Sequence, residues 1–332
     1  MTRVLGTALV ALLAACATSA STGATVAVPG IVEIETNLRY QGAAMFGTGV
    51  VLTPTGEILT NNHVIRGATA IRVRDLDNGR TYSATVAGYD VSADLALLEL
   101  RGATGLPTIR LGRSSTARID EPVTGYGNPR GRLGIPISSA DGKLVGLGKG
   151  VTVSADDGGT QRLTNLIETD APLRPGYSGG PLVDTDGRTI GIDTAGSPVF
   201  LFAPAAGGRA YAVPIDEARS VAAQIASGRS SATVHVGPTA FLGVDFQPSL
   251  GYTGLTPGLT IVRVIPGTPA ARAGLRPGDV VTALDRSRIK TADDVESRMQ
   301  TAKPGDPISV AWTDITGVSR TASITTTSGP PQ

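Results

Sequence analysis

Residues 174–184 read "RPGYSGGPLVD", with one serine, Ser178, among three glycines and between Pro175 and Pro181. Proline presets a turn-compatible φ and glycine accepts the positive φ of tight turns, so the segment reads as a backbone corner with a hydroxyl at its crest. Such a serine is ordinarily a turn residue. It becomes a nucleophile only where a base can take its proton, a carboxylate fixes that base, and N–H donors face the developing oxyanion. Gly176 and Ser178 can aim two N–H groups at one oxygen, because glycine permits the tight backbone path. The remaining requirements must come from elsewhere in the chain.

Two histidines are available. His235 lies in "TVHVG", a linker-like stretch where an exposed structural role is expected. His63, in "EILTNNHVIRG", stands between an apolar strand and a turn and is the plausible general base. Asp94 heads "DLALLEL", an ionised group at the mouth of an otherwise apolar strand. It reads either as the carboxylate that fixes the imidazole or as a strand cap. The three residues follow one another in the order His63, Asp94, Ser178.

The 332 residues suffice for two or three domains with full cores, and 41% apolar with 17% charged residues is globular composition. Aromatics are 4%, while 43 glycines and 22 prolines punctuate many short strands. A formal charge of +1 lacks the basic excess that nucleic-acid binding leaves in a sequence. Two separated histidines and one cysteine cannot make a zinc site of the usual kinds. "GLGKGVT" carries Gly150 where a phosphate-binding loop needs Ser or Thr.

The opening "MTRVLGTALVALLAACATSA" has a basic start at Arg3, a short apolar run and small residues around Cys16. It reads as a secretory signal, with "LAAC" resembling a bacterial lipobox that would place a diacylglycerol on Cys16. A chance cysteine in a plain signal peptide is the alternative. The expected organisation is a signal at 1–15, a tether at 16–30, a strand-rich unit at 31–228, a linker at 229–239 and a smaller α+β unit at 240–327. "PIDEARSVAAQIAS" is expected to be a helix that closes the first unit, with Ala218, Val221, Ala222 and Ile225 on one face and Gly228 as its stop. A second helix starts at Thr291, with Asp294 at the capping-box position.

Further stretches make the pattern specific. They are "GTGVVLTPTGEILTNNHVI" (47–65), "SADLALLEL" (92–100), "GYGNPRG" (125–131), "IETDAPLRPGYSGGPLVD" (167–184), "IGIDTA" (190–195) and "YAVPI" (211–215), with "FLGV" and "VIPGTPAARAGLRPGDVV" in the second unit. The chain resembles the HtrA/Deg family of exported bacterial serine proteases. That resemblance implies a mostly β fold, a chymotrypsin-like double β-barrel followed by a small PDZ domain, with the active site between the barrels. It implies His63, Asp94 and Ser178 as a catalytic triad, an oxyanion hole from Gly176 and Ser178, and no cofactor. The substrates implied are unfolded or misplaced exported proteins outside the cytoplasm. Silent barrels on a peptide-binding chaperone, or a narrow regulatory protease gated by PDZ ligands, are the alternatives.

Two positions depart from the family pattern. Tyr177 stands where Asn is usual, and its side chain is expected to point outward. Pro172 replaces the pocket aspartate of trypsin-like enzymes, so the substrate pocket, with Pro172 and Asp193, is expected to favour small or aliphatic side chains over Lys and Arg. The PDZ resemblance implies that N–H groups of Leu242, Gly243 and Val244 hold a peptide C-terminus, with Phe241, Val295 and Met299 lining an apolar pocket. Core packing is the other reading of Val295 and Met299. Family members form trimers through aromatics near the start of the protease domain. Residues 17–30 carry none, so a homotrimer stays open. Phe200 and Phe202 mark a proposed loop near the active site.

Overall fold

The computed structural model describes residues 28–129, 131–154, 160–196, 208–246 and 258–332. Cys16, Phe200 and Phe202 lie outside them.

Six strands build the first unit: β1 (Ile31–Leu38), β2 (Ala43–Val51), β3 (Glu57–Thr60), β4 (Ala70–Asp75), β5 (Thr81–Asp90) and β6 (Leu95–Leu100). They follow the order β5-β4-β1-β2-β3-β6, and β5 also pairs with β6, which closes the ring. A four-residue helix, α1 (Asn62–Ile65), interrupts the path between β3 and β4. The second unit is a closed barrel in the order β10-β11-β12-β9-β8-β7. Its strands are β7 (Pro122–Gly127), β8 (Ser138–Ser154), β9 (Thr160–Thr169), β10 (Pro181–Val183), β11 (Thr189–Gly196) and β12 (Ala210–Pro214).

The near-continuous apolar runs of the first barrel follow from burial on both strand faces. On β6, Ala96, Leu98 and Leu100 fill the barrel interior. Leu95 and Leu97, one residue out of phase, join a second core with Leu163, Leu166 and Ile192 of the other barrel. Successive side chains of a strand point to opposite faces, so a strand wedged between two cores must be apolar on both. β1 obeys the same rule, with Val32 and Ile34 inside and Ile31 at the contact between barrels.

The helix α2 (Ile215–Ala226) buries Ile215, Ala218, Ala222 and Ile225 in that shared core. Val221, expected on the same face, is only partly buried. Gly228, at φ +73°, accommodates the left-handed turn after the helix. The chain then pairs β13 (Val234–Val236) with β5 of the first barrel. The linker-like stretch is thus partly a strand. His235 is buried rather than exposed: Nδ1 contacts the Gln300 carbonyl at 3.0 Å, Nε2 the Gly237 carbonyl at 3.1 Å, and the ring stacks on Tyr89.

The last unit has the sheet order β15-β16-β17-β19-β20, from β15 (Val244–Phe246), β16 (Leu259–Val264), β17 (Val280–Leu284), β19 (Pro307–Thr313) and β20 (Ser319–Thr325). The short β18 (Ser287–Arg288) pairs with β17, and β14 (Thr239–Phe241) pairs with β21 (Thr327–Gly329). Two helices, α3 (Pro269–Arg272) and α4 (Ala292–Thr301), complete it, and α4 starts with the expected reciprocal bonds of Thr291 and Asp294. Among the described residues no helix is long and apolar enough to cross a membrane.

Candidate active site

His63 sits on the single turn of α1, entered through the buried Asn61, whose amide donates to the Asp94 carbonyl at 2.9 Å. Asp94 has φ +53°, a left-handed conformation that Asp tolerates better than most residues. Its Oδ1 accepts the His63 backbone N–H at 2.9 Å, while Oδ2 lies 2.8 Å from His63 Nδ1. An acceptor at that distance assigns the proton to Nδ1, so Nε2 is the unprotonated nitrogen of the ring. The Asp94 side chain is 6% exposed and that of His63 35%, so the carboxylate is shielded while the ring reaches solvent. Thr194 Oγ1, from β11 of the second barrel, donates to Asp94 Oδ2 and ties the two barrels together.

The serine corner consists of two consecutive turns. Tyr177 N donates to the Arg174 carbonyl at 3.0 Å, with Gly176 at φ +96° in the third turn position. Gly180 N then donates to the Tyr177 carbonyl at 2.8 Å, with Gly179 at φ +83° in the same place. Type II turns require a positive φ there. Space is equally restrictive, because a Cβ would lie 2.1 Å from the Asn128 carbonyl oxygen at Gly176 and 2.0 Å from the Thr48 carbonyl oxygen at Gly179. Ser178 occupies the crest of the second turn.

Three contacts bring this crest beside His63 and Asp94. Thr48 N donates to the Ser178 carbonyl at 2.8 Å. A methyl on Gly47 would meet both Val64, the neighbour of His63, at 2.7 Å and Ser178 O at 3.2 Å. Gly179 N donates to the carbonyl of Asp193, the residue before Thr194, at 2.8 Å. The N–H groups of Gly176 and Ser178 have no protein acceptor among the described residues.

Tyr177 does not point outward. It is 4% exposed and packs with Ala140, Ala171, Leu173 and Ala210, over the face that Gly127 leaves without a side chain. Burial raises its phenol above the usual range, and a hydrogen bond with the Ser138 side chain opposes that shift. Pro172 is exposed. Asp193 is wholly buried, and among the described residues neither carboxylate oxygen has a hydrogen-bond partner. Burial pushes its carboxyl well above the usual carboxylate range. Among the described residues no group of three or more His, Cys, Asp or Glu side chains converges as a metal site requires.

In the last unit, Leu242, Val244, Phe246, Ala270, Val295 and Ile324 line an apolar cleft. Phe241 and Met299 are not part of that lining. Phe241 stacks on Tyr40 of the first barrel, with ring centroids 5.6 Å apart, and Met299 belongs to the unit's core. The unit docks close to His63: Arg66 pairs with Glu296 at 3.1 Å, Asn62 Nδ2 donates to the Gln332 carbonyl at 3.1 Å, and Gly67 N to the Pro331 carbonyl at 2.8 Å. Thr194, Asn61, Thr48 and Asn128 were not singled out in the sequence. The available signal was adjacency, since Thr194 follows Asp193 and Asn61 lies in "NNH".

Comparison with known proteins agrees with this architecture. Residues 47–192 match the trypsin-like peptidase domain family and residues 240–313 the PDZ domain family. The serine protease PepD of Mycobacterium tuberculosis is 33% identical over 314 residues, covering 90% of this chain and 64% of PepD. The periplasmic pH-dependent serine endoprotease DegQ of Escherichia coli is 30% identical over 269 residues, covering 79% of this chain and 55% of DegQ. The chain thus spans about half to two thirds of these relatives' length. A solved structure of the HtrA-type protease AlgW, a serine-to-alanine variant with a tripeptide, superposes with a TM-score of 0.51 at 29% identity, covering 92% of this chain and 95% of that one. The chain is therefore built from a trypsin-like peptidase domain followed by one PDZ domain, and it is similar over most of its length to HtrA-type serine proteases.

Proposed function

We propose that the chain is a serine endopeptidase that acts by acyl transfer, with Ser178 as nucleophile, His63 as general base and then acid, and Asp94 as the group that orients the imidazole. The observation that carries this reading is the double contact of Asp94 with the His63 main chain and ring, beside a serine turn with two N–H groups that have no acceptor among the described residues. Ser178 Oγ attacks the scissile carbonyl carbon as its proton passes to His63 Nε2. Negative charge then gathers on the carbonyl oxygen, where the N–H groups of Gly176 and Ser178 stabilise it. Collapse breaks the C–N bond, with Nε2 returning the proton to the leaving amine. Water, deprotonated by the same nitrogen, then hydrolyses the acyl-enzyme.

The pocket is proposed to prefer small or aliphatic side chains over basic ones. In support, Pro172 offers no charge, and burial keeps Asp193 protonated to higher pH. The PDZ domain is proposed to bind peptide C-termini, through N–H groups of Leu242 and Gly243 that have no protein acceptor among the described residues. β15 lies at the edge of its sheet, as a site for an added peptide strand requires. Unfolded or misplaced exported proteins, met outside the cytoplasm, are the proposed substrates, in keeping with the name of the periplasmic relative DegQ. Anchoring through a diacylglycerol on Cys16 rests on the sequence of the signal alone.

One observation favours PDZ gating as a second reading. Val295 lines the apolar cleft, and the next residue, Glu296, pairs with Arg66 on the segment that carries His63. A fluorophosphonate probe tests the reading. Labelling of the wild type, lost in Ser178→Ala and strongly reduced in His63→Ala, is the expected result. A wild type that stays unlabelled, even with C-terminal peptides added, would point instead to a peptide-binding chaperone with silent barrels.

A further inference from the structure

Strand β1 contains one residue at odds with its surroundings. Glu33 lies on the face turned toward the second barrel, in phase with Ile31, and is 0% exposed. Burial raises its carboxyl above the usual range, and hydrogen bonds from the Gly134 and Ile135 backbones and the charge of Arg74 oppose the shift. A buried carboxylate is retained without great cost only where donors surround it. Glu33 has them: Asn128 Nδ2 donates to Oε1 at 2.9 Å, and Gly134 N to Oε2 at 2.7 Å.

These contacts lead directly to the serine corner. Glu33 is the cross-strand partner of Thr48 on β2. Thr48 Oγ1 donates to the Gly176 carbonyl at 2.7 Å, and the Asn128 backbone N–H approaches both that carbonyl, at 3.1 Å, and Thr48 Oγ1, at 3.2 Å. Asn128 is 1% exposed, and its amide also donates to the Arg132 carbonyl at 2.7 Å. Its own carbonyl packs against Gly176 so closely that no Cβ fits between them. The Gly176 peptide therefore rests on Asn128, and Asn128 is held from below by Glu33.

We infer that Glu33 is a positioning residue for the serine turn, clamping Asn128 so that the N–H groups of Gly176 and Ser178 stay aimed at one oxygen. The inference rests on the proposed acyl-transfer reading of those two groups. Donors of this kind act through placement, and displacement by about 1 Å costs on the order of 100-fold in rate. Loss of the clamp therefore affects the chemical step and leaves substrate binding alone.

The test uses the full chain, with kcat and KM on a peptide substrate, the rate of fluorophosphonate labelling, and binding of a C-terminal peptide as a control for the PDZ domain. Glu33→Ala is expected to lower kcat and the labelling rate together by roughly 10- to 100-fold, with KM changed less than about 2-fold and peptide binding unaltered. Glu33→Gln, whose single side-chain oxygen can serve only one of the two donors, falls between Glu33→Ala and wild type. Asn128→Ala keeps its backbone N–H but loses the clamp, and provides the same test if Glu33→Ala does not fold. Combining the two alanine changes adds little to the larger single effect. Wild-type kcat in the folded variants, or a rise in KM with kcat intact, overturns the inference while leaving the acyl-transfer reading in place. A wild type that neither hydrolyses peptide nor labels overturns that reading, and this inference with it.

Discussion

Replacing Asp193 by Asn should remove a pH dependence of stability that the wild type carries. The side chain is wholly buried, without a partner for either oxygen among the described residues, and burial raises its carboxyl well above its ordinary value of 3.8. In the unfolded chain the group loses its proton near pH 4, whereas in the folded chain it keeps it to higher pH. Between those two values the folded state holds more protons, so stability is greatest in acid and falls as pH rises. Because one proton is involved, the fall reaches about 1.4 kcal/mol per pH unit within that window and stops above the folded value. For a domain of this size that corresponds to roughly 3–6 °C in Tm per pH unit. Asn cannot ionise, so its Tm loses this contribution at every pH. Its amide also needs partners, which shifts Tm by an amount that does not depend on pH. The slope of the difference between the two proteins is therefore the quantity to read, by thermal denaturation from pH 4 upward. Differencing also cancels Glu33 and Asp75, whose carboxyls burial likewise raises. Parallel Tm curves for wild type and Asp193→Asn would refute the reasoning.

Thr194→Val removes the hydroxyl that donates to Asp94 Oδ2 and leaves the carboxylate free to turn away from His63. It should lower kcat by about 10-fold with little change in KM, measured on a peptide substrate. Phe241→Ala removes the stack on Tyr40, a contact worth about 0.5–1.5 kcal/mol beyond its area. It should expose the segment between the second barrel and the PDZ domain to faster cutting by an added protease. An unchanged cleavage rate would show that the remaining contacts alone keep the PDZ domain docked.

The sequence carried most of the fold because each local signal had one cause. The glycine corner and the Thr291–Asp294 capping pair of α4 express backbone requirements, and these do not depend on distant packing. The misreadings share a different origin. Tyr177 turns inward because Gly127, distant in sequence, leaves it room. Phe241 is drawn out of the apolar cleft by Tyr40 of another domain, and His235 is buried by the pairing of β13 with β5. In each case the determining neighbour lies in another barrel or domain, where local pattern gives no indication of it.

The central claim is that Ser178 forms an acyl-enzyme with His63 as its base, and the most direct measurement is to trap that intermediate. The chain would be mixed with an activated ester, quenched in acid within the first turnover, and analysed by intact mass and peptide mapping. The account predicts one acyl group, located on Ser178, absent from Ser178→Ala and strongly reduced in His63→Ala. An acyl group on another residue, or equal acylation of the Ser178→Ala protein, would contradict it.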